Sequence, residues 1–293
     1  MSTRARVLVL LLPLSVPVPA LAAGPLSGGT YQVQVIPDVA YREGPEADPV
    51  KQRLDVYLPK GKTDFPVLFF VHGGAWSSGD RKLYAPLGRL FARNGVGTVV
   101  ISYRLTPKVQ HPGHIEDVAR AFAWTHRNIA RHGGRPDQIF VTGQSAGGHL
   151  AALLATNEDY LKAEGLSVKT IKGVMPVSGV YVFPPGRLTR VIGEAPGARE
   201  SASPLGHVTG KEPPFLILYA ENDFPSCDQM SLALDESLRA RAVETSCQEI
   251  KDRNHISIMV RLMMNQDDPA TQELLKFMAR HAGLTLTERK VAE

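Results

Sequence analysis

The stretch QIFVTGQSAGGHLAALLAT, from Gln138 to Thr156, changes its pattern halfway along. Gln138 to Thr142 has the β-branched and aromatic content of a strand, and Ala146 to Thr156 is small, apolar and helix-forming. Between them lies Gly143-Gln144-Ser145-Ala146-Gly147, the pattern G-x-S-x-G. Alone that pattern is weak. Between a strand and a helix it puts Ser145 on a sharp turn with its hydroxyl exposed. Small residues are needed there because the turn is strained and bulky neighbours would clash. The free N–H groups of the helix start favour developing negative charge beside the serine. Ser145 is the candidate nucleophile; the competing reading is a glycine-rich connection with an idle serine.

Upstream, Val67 to Val71 is a continuous apolar run, as in a strand buried on both faces. It leads into His72-Gly73-Gly74-Ala75-Trp76. Glycines there let the backbone approach a reacting carbonyl, and the N–H groups of Gly73, Gly74 and Ala146 would form an oxyanion hole. A plain glycine turn beside a stacked tryptophan is the alternative.

Downstream, a nucleophilic serine needs a base, and the base an orienting acid, here in the order acid then histidine. His72, His111, His114, His126 and His132 precede Ser145, and His149 is tied to the same helix. His207 precedes the best acid, and His281 lies late in the final helix. His255 remains, after a strand ending near Ile250. For the acid, the strand Phe215 to Tyr219 runs into Ala220-Glu221-Asn222-Asp223, and Asp223 is preferred over Glu221; Asp228 reads as the start of the next helix.

The rest of the chain keeps the same rhythm. Strands are expected at Tyr31–Ile36, Gln52–Leu58, Thr98–Ser102, Ile171–Val177 and Thr245–Ile250. Helices are expected at Leu83–Asn94, His114–His132, Ser231–Ala242 and Ala270–Ala282. This alternation predicts an α/β fold with a mostly parallel central sheet and helices on both faces. Val180 to Pro214, rich in Pro and Gly, breaks the rhythm and reads as a lid-like insertion over one end of the sheet, within a single domain spanning 23–293.

Arg4 and Arg6, an apolar stretch from Val7 and the small-x-small Ala20-Leu21-Ala22 read as a signal peptide, residues 1–22, and predict a periplasmic or secreted protein with no stable membrane insertion after cleavage. In such a compartment Cys227 and Cys247 are free to bridge or to stay as buried thiols. The 33 Lys and Arg against 29 Asp and Glu are scattered, with no run dense enough to follow a phosphate backbone, so nucleic acid is not an expected partner. No cofactor or metal is expected either. Gly61-Lys62-Thr63 has Val56 where a phosphate loop needs glycine, and Gly95-x-Gly97 opens a strand, the wrong context for a dinucleotide site.

Taken together, HGGAWSSGDR (His72–Arg81), SYRLTP (Ser102–Pro107), ED (Glu116–Asp117), GGRPDQIFVTGQSAGGHLAALLA (Gly133–Ala155), AEND (Ala220–Asp223) and NHIS (Asn254–Ser257) resemble an α/β-hydrolase of the hormone-sensitive-lipase-like and feruloyl/acetylxylan esterase-like (BD-FAE-like) group. The resemblance implies the α/β-hydrolase fold, Ser145 as nucleophile, Asp223 as acid, His255 as base, Gly73, Gly74 and Ala146 as oxyanion hole, and Arg104 and Asp117 as support beneath the site. It implies an exported serine carboxylesterase acting on small acyl or aryl esters through an acyl-enzyme. An arylformamidase-like amidohydrolase with the same triad, and a catalytically silent hydrolase fold used for binding, stay open. Ala75 stands where many relatives have a third glycine, Asn254 replaces a glycine before the histidine, and the N-terminal cap of larger lipases is reduced.

Overall fold

The computed structural model describes residues 26–27 and 31–287, so the expected signal peptide at residues 1–22 lies outside the described residues. In chain order the elements are β1 (Leu26–Ser27), β2 (Val33–Ala40), β3 (Arg53–Pro59), β4 (Phe65–Val71), α1 (Ala85–Arg93), β5 (Gly97–Ile101), α2 (Gly113–Asn128), β6 (Gly134–Gln144), α3 (Ala146–Thr156), α4 (Asp159–Ala163), β7 (Gly173–Val177), α5 (Thr189–Ile192), α6 (Ala198–Ala202), β8 (Phe215–Asn222), α7 (Cys227–Arg239), β9 (Thr245–Asn254), α8 (Ser257–Met264), α9 (Pro269–Ala282) and β10 (Leu286–Thr287). β1 and β10 pair as a small parallel ribbon, and the other eight strands form one sheet in the order β2-β3-β5-β4-β6-β7-β8-β9.

Only β3 runs against its neighbours; it is antiparallel to both β2 and β5, and the remaining pairs are parallel. Every residue of β4, β5 and β7 is buried, as their unbroken apolar runs require of strands covered on both faces. Alternation along β4 divides the core: Val67, Phe69 and Val71 join α2, α3 and α7 on one face, while Leu68 and Phe70 join α1, α8 and α9 on the other. α3 is buried along its whole length, which its all-round apolar sequence needs.

Register sets the site. Val71 of β4 is level with Gly143 of β6, Gln144 with Val177 of β7, and Asn222 of β8 with Asn254 of β9. The loops leaving β4, β6, β7, β8 and β9 therefore emerge at one edge of the sheet, the carboxyl ends of its parallel strands, where ligands of open α/β sheets bind.

Several boundaries differ from the sequence reading. β9 continues past Ile250 to Asn254, with an irregular register against β8 between Ala220 and Asn222 that lets two polar ends stay paired. α7 begins at Cys227, not Ser231, because its first turn is polar and carries no periodic signal. α8 has no counterpart among the expected helices. It buries Ile258, Met259 and Leu262 yet exposes Val260 and Met264, so its sequence shows no apolar stripe to read.

The segment from Val180 to Pro214 holds α5, α6 and a turn of 3-10 helix at Pro204–His207. It is more deeply rooted than a surface excursion. Tyr181, Phe183, Val191, Ile192, Ala202 and Val208 are buried in the same core as α2 and α3. These anchors are irregularly spaced, so no period announces them.

Candidate active site

Ser145 joins β6 to α3 with φ 58 and ψ −121, a backbone conformation that L side chains rarely adopt. Strain of this kind costs about 1–3 kcal/mol and persists only when the surroundings dictate it. Here the Ser145 N–H donates to the Val177 carbonyl at 2.9 Å and the Ser145 carbonyl accepts from the His149 N–H at 2.9 Å. Two residues on, Gly147 passes so close to β4 that a Cβ would lie 2.0 Å from the Val71 carbonyl oxygen. The turn is possible only because that atom is missing.

β8 and β9 bring up the other two groups. His255 Nε2 lies 2.9 Å from Ser145 Oγ, and His255 Nδ1 lies 2.6 Å from Asp223 Oδ1. Asp223 also accepts from the Ser178 hydroxyl at 2.5 Å and from the N–H groups of Ala220 (2.9 Å) and Phe224 (2.8 Å). Burial alone would raise this carboxyl; the hydrogen bonds from His255, Ser178 and the two backbone donors outweigh it and hold the group below its ordinary value. A carboxylate only accepts, so the imidazole proton sits on Nδ1 and the Nε2 lone pair faces the serine. The Phe224 ring meets the imidazole edge-on at 4.9 Å. Glu221, the rival acid, is engaged elsewhere: it pairs with Lys251 at 3.3 Å and accepts from the Asp252 N–H at 3.0 Å. His281 lies on α9 beside Glu244, 3.8 Å away.

The loop after β4 leans on the same turn. A Cβ on Gly73 would stand 2.7 Å from the Gln144 carbonyl oxygen and 3.3 Å from Ser145 Cβ. The Gly74 carbonyl accepts from the Ser77 and Ser78 N–H groups at 3.1 and 2.9 Å, closing the loop on itself. Among the described residues the Gly74 N–H has no protein acceptor, and the Gly73 N–H faces the Tyr84 hydroxyl, whose burial raises its pKa against that contact. Ala146 opens α3, where first-turn N–H groups have no intrahelical partner. Ala75 and Trp76 follow with φ 52 and 56, two left-handed residues in succession.

The indole N–H of Trp76 donates to His149 Nδ1 at 3.1 Å, and His149 Nε2 donates to the Ala202 carbonyl at 2.7 Å. Since an indole only donates, His149 is held neutral with a bare Nδ1. Burial pushes it down to about 3, partly opposed by its bond to Ala202. This histidine therefore links the nucleophile helix, the glycine loop and the Val180–Pro214 segment. Further out, Arg104 makes two 2.8 Å bonds to the fully buried Asp117, which also accepts from Gln52 at 2.6 Å. That pair braces the start of β3 against the loop after β5.

Sequence reasoning singled out neither Ser178 nor the His149–Trp76 bond. Ser178 is an ordinary residue at a strand end, and its only mark is a left-handed φ of 49, which sequence does not display. Cys227 and Cys247 are free thiols, so the bridge left open by the sequence is not formed. Burial raises both, Cys247 to about 12.

Residues 54–180 match the BD-FAE family model. Over that stretch the chain is similar to the BD-FAE family of α/β-hydrolases. It is 36% identical to esterase LipQ of Mycobacterium tuberculosis over 210 residues, 65% of this chain and 50% of that protein. The chain thus spans about half the length of the curated relative. Among solved structures, esterase B of Lactobacillus rhamnosis superposes with a TM-score of 0.73 at 24% identity, covering 86% of each chain. A truncated carbohydrate esterase from gut microbiota superposes with a TM-score of 0.70 at 20% identity, covering 89% of this chain and 99% of that one. At these identities the two superpositions speak for the shared hydrolase fold, including the mixed eight-stranded sheet.

Proposed function

We propose that this protein is a serine carboxylesterase that transfers an acyl group from an ester to Ser145 and then to water. The observation that carries the reading is the unbroken relay from Ser145 Oγ through His255 to Asp223, at 2.9 and 2.6 Å. Each link is within hydrogen-bond reach.

In the first half-reaction Ser145 Oγ attacks the ester carbonyl carbon as His255 Nε2 takes its proton. Asp223 keeps Nδ1 protonated and stabilises the cation. The carbonyl oxygen becomes an oxyanion in front of the N–H groups of Gly74 and Ala146, each such donor contributing roughly 2.7–4 kcal/mol, while the N–H of Gly73, expected from the sequence to join them, is turned to the Tyr84 hydroxyl. His255 then protonates the leaving alcohol as the C–O bond breaks. Water repeats the sequence on the acyl-enzyme, releasing the acid and restoring Ser145.

The relatives support an ester rather than an amide, since LipQ and esterase B carry esterase names. We read residues 180–214 as an insertion that walls one side of the pocket, because they leave the end of β7, at the edge where Ser145 lies, and hold Phe183 against Trp76 at 5.6 Å. The Arg4, Arg6 and Ala20-Leu21-Ala22 pattern supports export. N-terminal sequencing of the exported product should find a chain starting at Ala23; a product retaining Arg4 and Arg6 contradicts that part.

A fluorophosphonate probe should label purified protein on Ser145 and abolish hydrolysis of p-nitrophenyl acetate and butyrate. Activity that survives full labelling, or label carried by another residue, overturns the assignment. Methyl ferulate, acetylated xylan and an N-formyl aromatic amine in the same panel separate the aryl-ester, carbohydrate-ester and formamidase readings.

A further inference from the structure

Gln144, the residue before the nucleophile, is buried at the meeting point of three segments. Its side-chain nitrogen lies 2.9 Å from the His255 carbonyl oxygen and 3.2 Å from His255 Nε2. Its side-chain oxygen lies on the opposite side, 2.8 Å from where a Cβ at Gly73 would stand. The chemistry fixes which way the amide points. The carbonyl oxygen of His255 only accepts, and with Nδ1 protonated toward Asp223 the Nε2 lone pair accepts as well. The NH2 group satisfies both; a flipped amide would set oxygen against oxygen.

We propose that Gln144 is a positioning residue: it pins the His255 loop to the nucleophile turn and, by donating to Nε2, favours the neutral imidazole over the imidazolium. This rests on the reading of Ser145, His255 and Asp223 given above. In the resting enzyme Ser145 and Gln144 donate to one lone pair. Once His255 takes the serine proton, Nε2 becomes a donor and meets an amide N–H of Gln144, so an attractive contact turns repulsive. The proton is thereby pressed onward to the leaving alcohol oxygen, which accepts it as the C–O bond of the tetrahedral intermediate breaks. The titratable groups facing the imidazole are Asp223 from the β8 loop and, beyond it, the Cys227 thiol at the start of α7. Ser145, Gln144 and the Phe224 ring complete its surroundings without charge.

The test is a pair of near-isosteric variants. Q144M keeps the length and removes the donor; Q144E replaces it with a carboxylate that favours the imidazolium. For Q144M, loss of the bond to the His255 carbonyl should loosen the imidazole and lower kcat about tenfold with KM changed less than about twofold, although the missing Nε2 donor by itself eases proton uptake. The acid limb of kcat/KM should move to higher pH in Q144M and further, by about 1 pH unit, in Q144E. Fluorophosphonate labelling and thermal melting report whether each variant keeps its nucleophile and fold. Folded, labelled variants whose acid limbs coincide with the parent's overturn the proposal. A parent that is not labelled at Ser145 instead brings down the esterase reading. A measurement without any change at 144 covers variants that do not fold. In S145A the serine donor is gone, so the 15N resonance of His255 Nε2 should still show the upfield displacement of a hydrogen-bonded acceptor. The position of a free acceptor there overturns the proposal equally.

Discussion

Between Val71 and Gly147, backbone meets backbone: a methyl group's worth of space is missing on Gly147, and the Ser145 N–H is tied to the Val177 carbonyl. Between Tyr181 and Val208 one backbone bond, from the His111 N–H to the Val191 carbonyl at 2.9 Å, joins the segment to the loop before α2, and the rest of the holding involves side chains. His149 reaches Ala202, His111 Nε2 lies 2.8 Å from Ser201 Oγ, and scattered apolar anchors fill the space between. The nucleophile turn is therefore set by main-chain geometry, with little freedom in residue choice. The segment beside it is fixed by individual contacts that other residues could replace. On the proposed function, a hydrolase fold built this way can vary its pocket wall while keeping the reacting groups in place.

The largest expected effect separates chemistry from architecture within the turn. Ser145→Ala should lower kcat by roughly 10⁴–10⁶-fold, since the proposed mechanism puts the attacking atom on Ser145. Its hydroxyl makes no contact that the fold depends on, so the melting temperature should stay within about 2 °C. A variant that retains near-parental hydrolysis removes Ser145 from the mechanism, and one that melts far lower shows that the turn depends on its side chain after all.

Next, glycine-to-alanine substitutions in the two regions should diverge. Gly147→Ala drives a methyl into the Val71 carbonyl, with backbone on both sides and nowhere to yield, so a loss of several kcal/mol or failure to fold is expected. Gly186, unlike Gly147, sits at positive φ, +70, but faces open space, so for Gly186→Ala only the left-handed strain of about 1–2 kcal/mol remains. Denaturant titration of both variants checks the contrast. Equal losses would mean that the segment is as tightly built as the turn.

The same contrast governs what could be read from the sequence. β4, β5 and β7 announce themselves because strands buried on both faces must be apolar throughout. The turn is legible because sterics restrict it to small residues. Asp223 and His255 came from chain order and strand ends, and the structure places His255 within hydrogen-bond reach of both Asp223 and Ser145. Ser178, Gln144 and the Trp76–His149 bond were not legible. Each is a common residue whose role comes from what folding sets beside it, and no local spacing encodes that. α8 escaped because its apolar residues point both inward and outward, which erases the periodic signal.

Acid should loosen the segment along with the loop after β4 and the start of α2, where burial lowers His72 and His114 to about 4. Burial lowers His149 to about 3, and burial with the charge of His207 lowers His111 to about 4, both from an ordinary 6.5. Between those values and 6.5 the unfolded chain binds more protons than the folded one, so stability rises with pH there. Above about pH 6.5 both histidines are neutral in either state and nothing is lost. As pH falls toward 4, each buried neutral histidine costs the fold up to about 1.4 kcal/mol for every full step in pH, less for the partly buried His111. His149 also loses its Trp76 bond on protonation, because both partners would then be donors. Hydrogen exchange, corrected for its intrinsic pH dependence, should show protection around Ala198–Ala202 falling between pH 6.5 and 4.5 while β6 stays protected. Uniform loss across both would show a single cooperative unit.

The smallest effect concerns the strain in the loop after β4. Ala75 holds φ 52, where glycine would be at ease and where the family resemblance places glycine. An L side chain in that region costs about 1–2 kcal/mol, and a glycine there costs back about 0.5–1 kcal/mol through the freer unfolded chain. Ala75→Gly should therefore raise stability by no more than about 1 kcal/mol, or about 2–4 °C in melting temperature for a domain of this size. Trp76 carries the same strain, yet its indole is anchored to His149, so glycine there would lose a buried hydrogen bond and a large apolar side chain. A fall in melting temperature for Ala75→Gly would mean that the Ala75 methyl packs well enough to outweigh its backbone strain. The loop would then be held by side-chain contacts as the 180–214 segment is, and the line between the two regions would have to be drawn on the other side of Gly74.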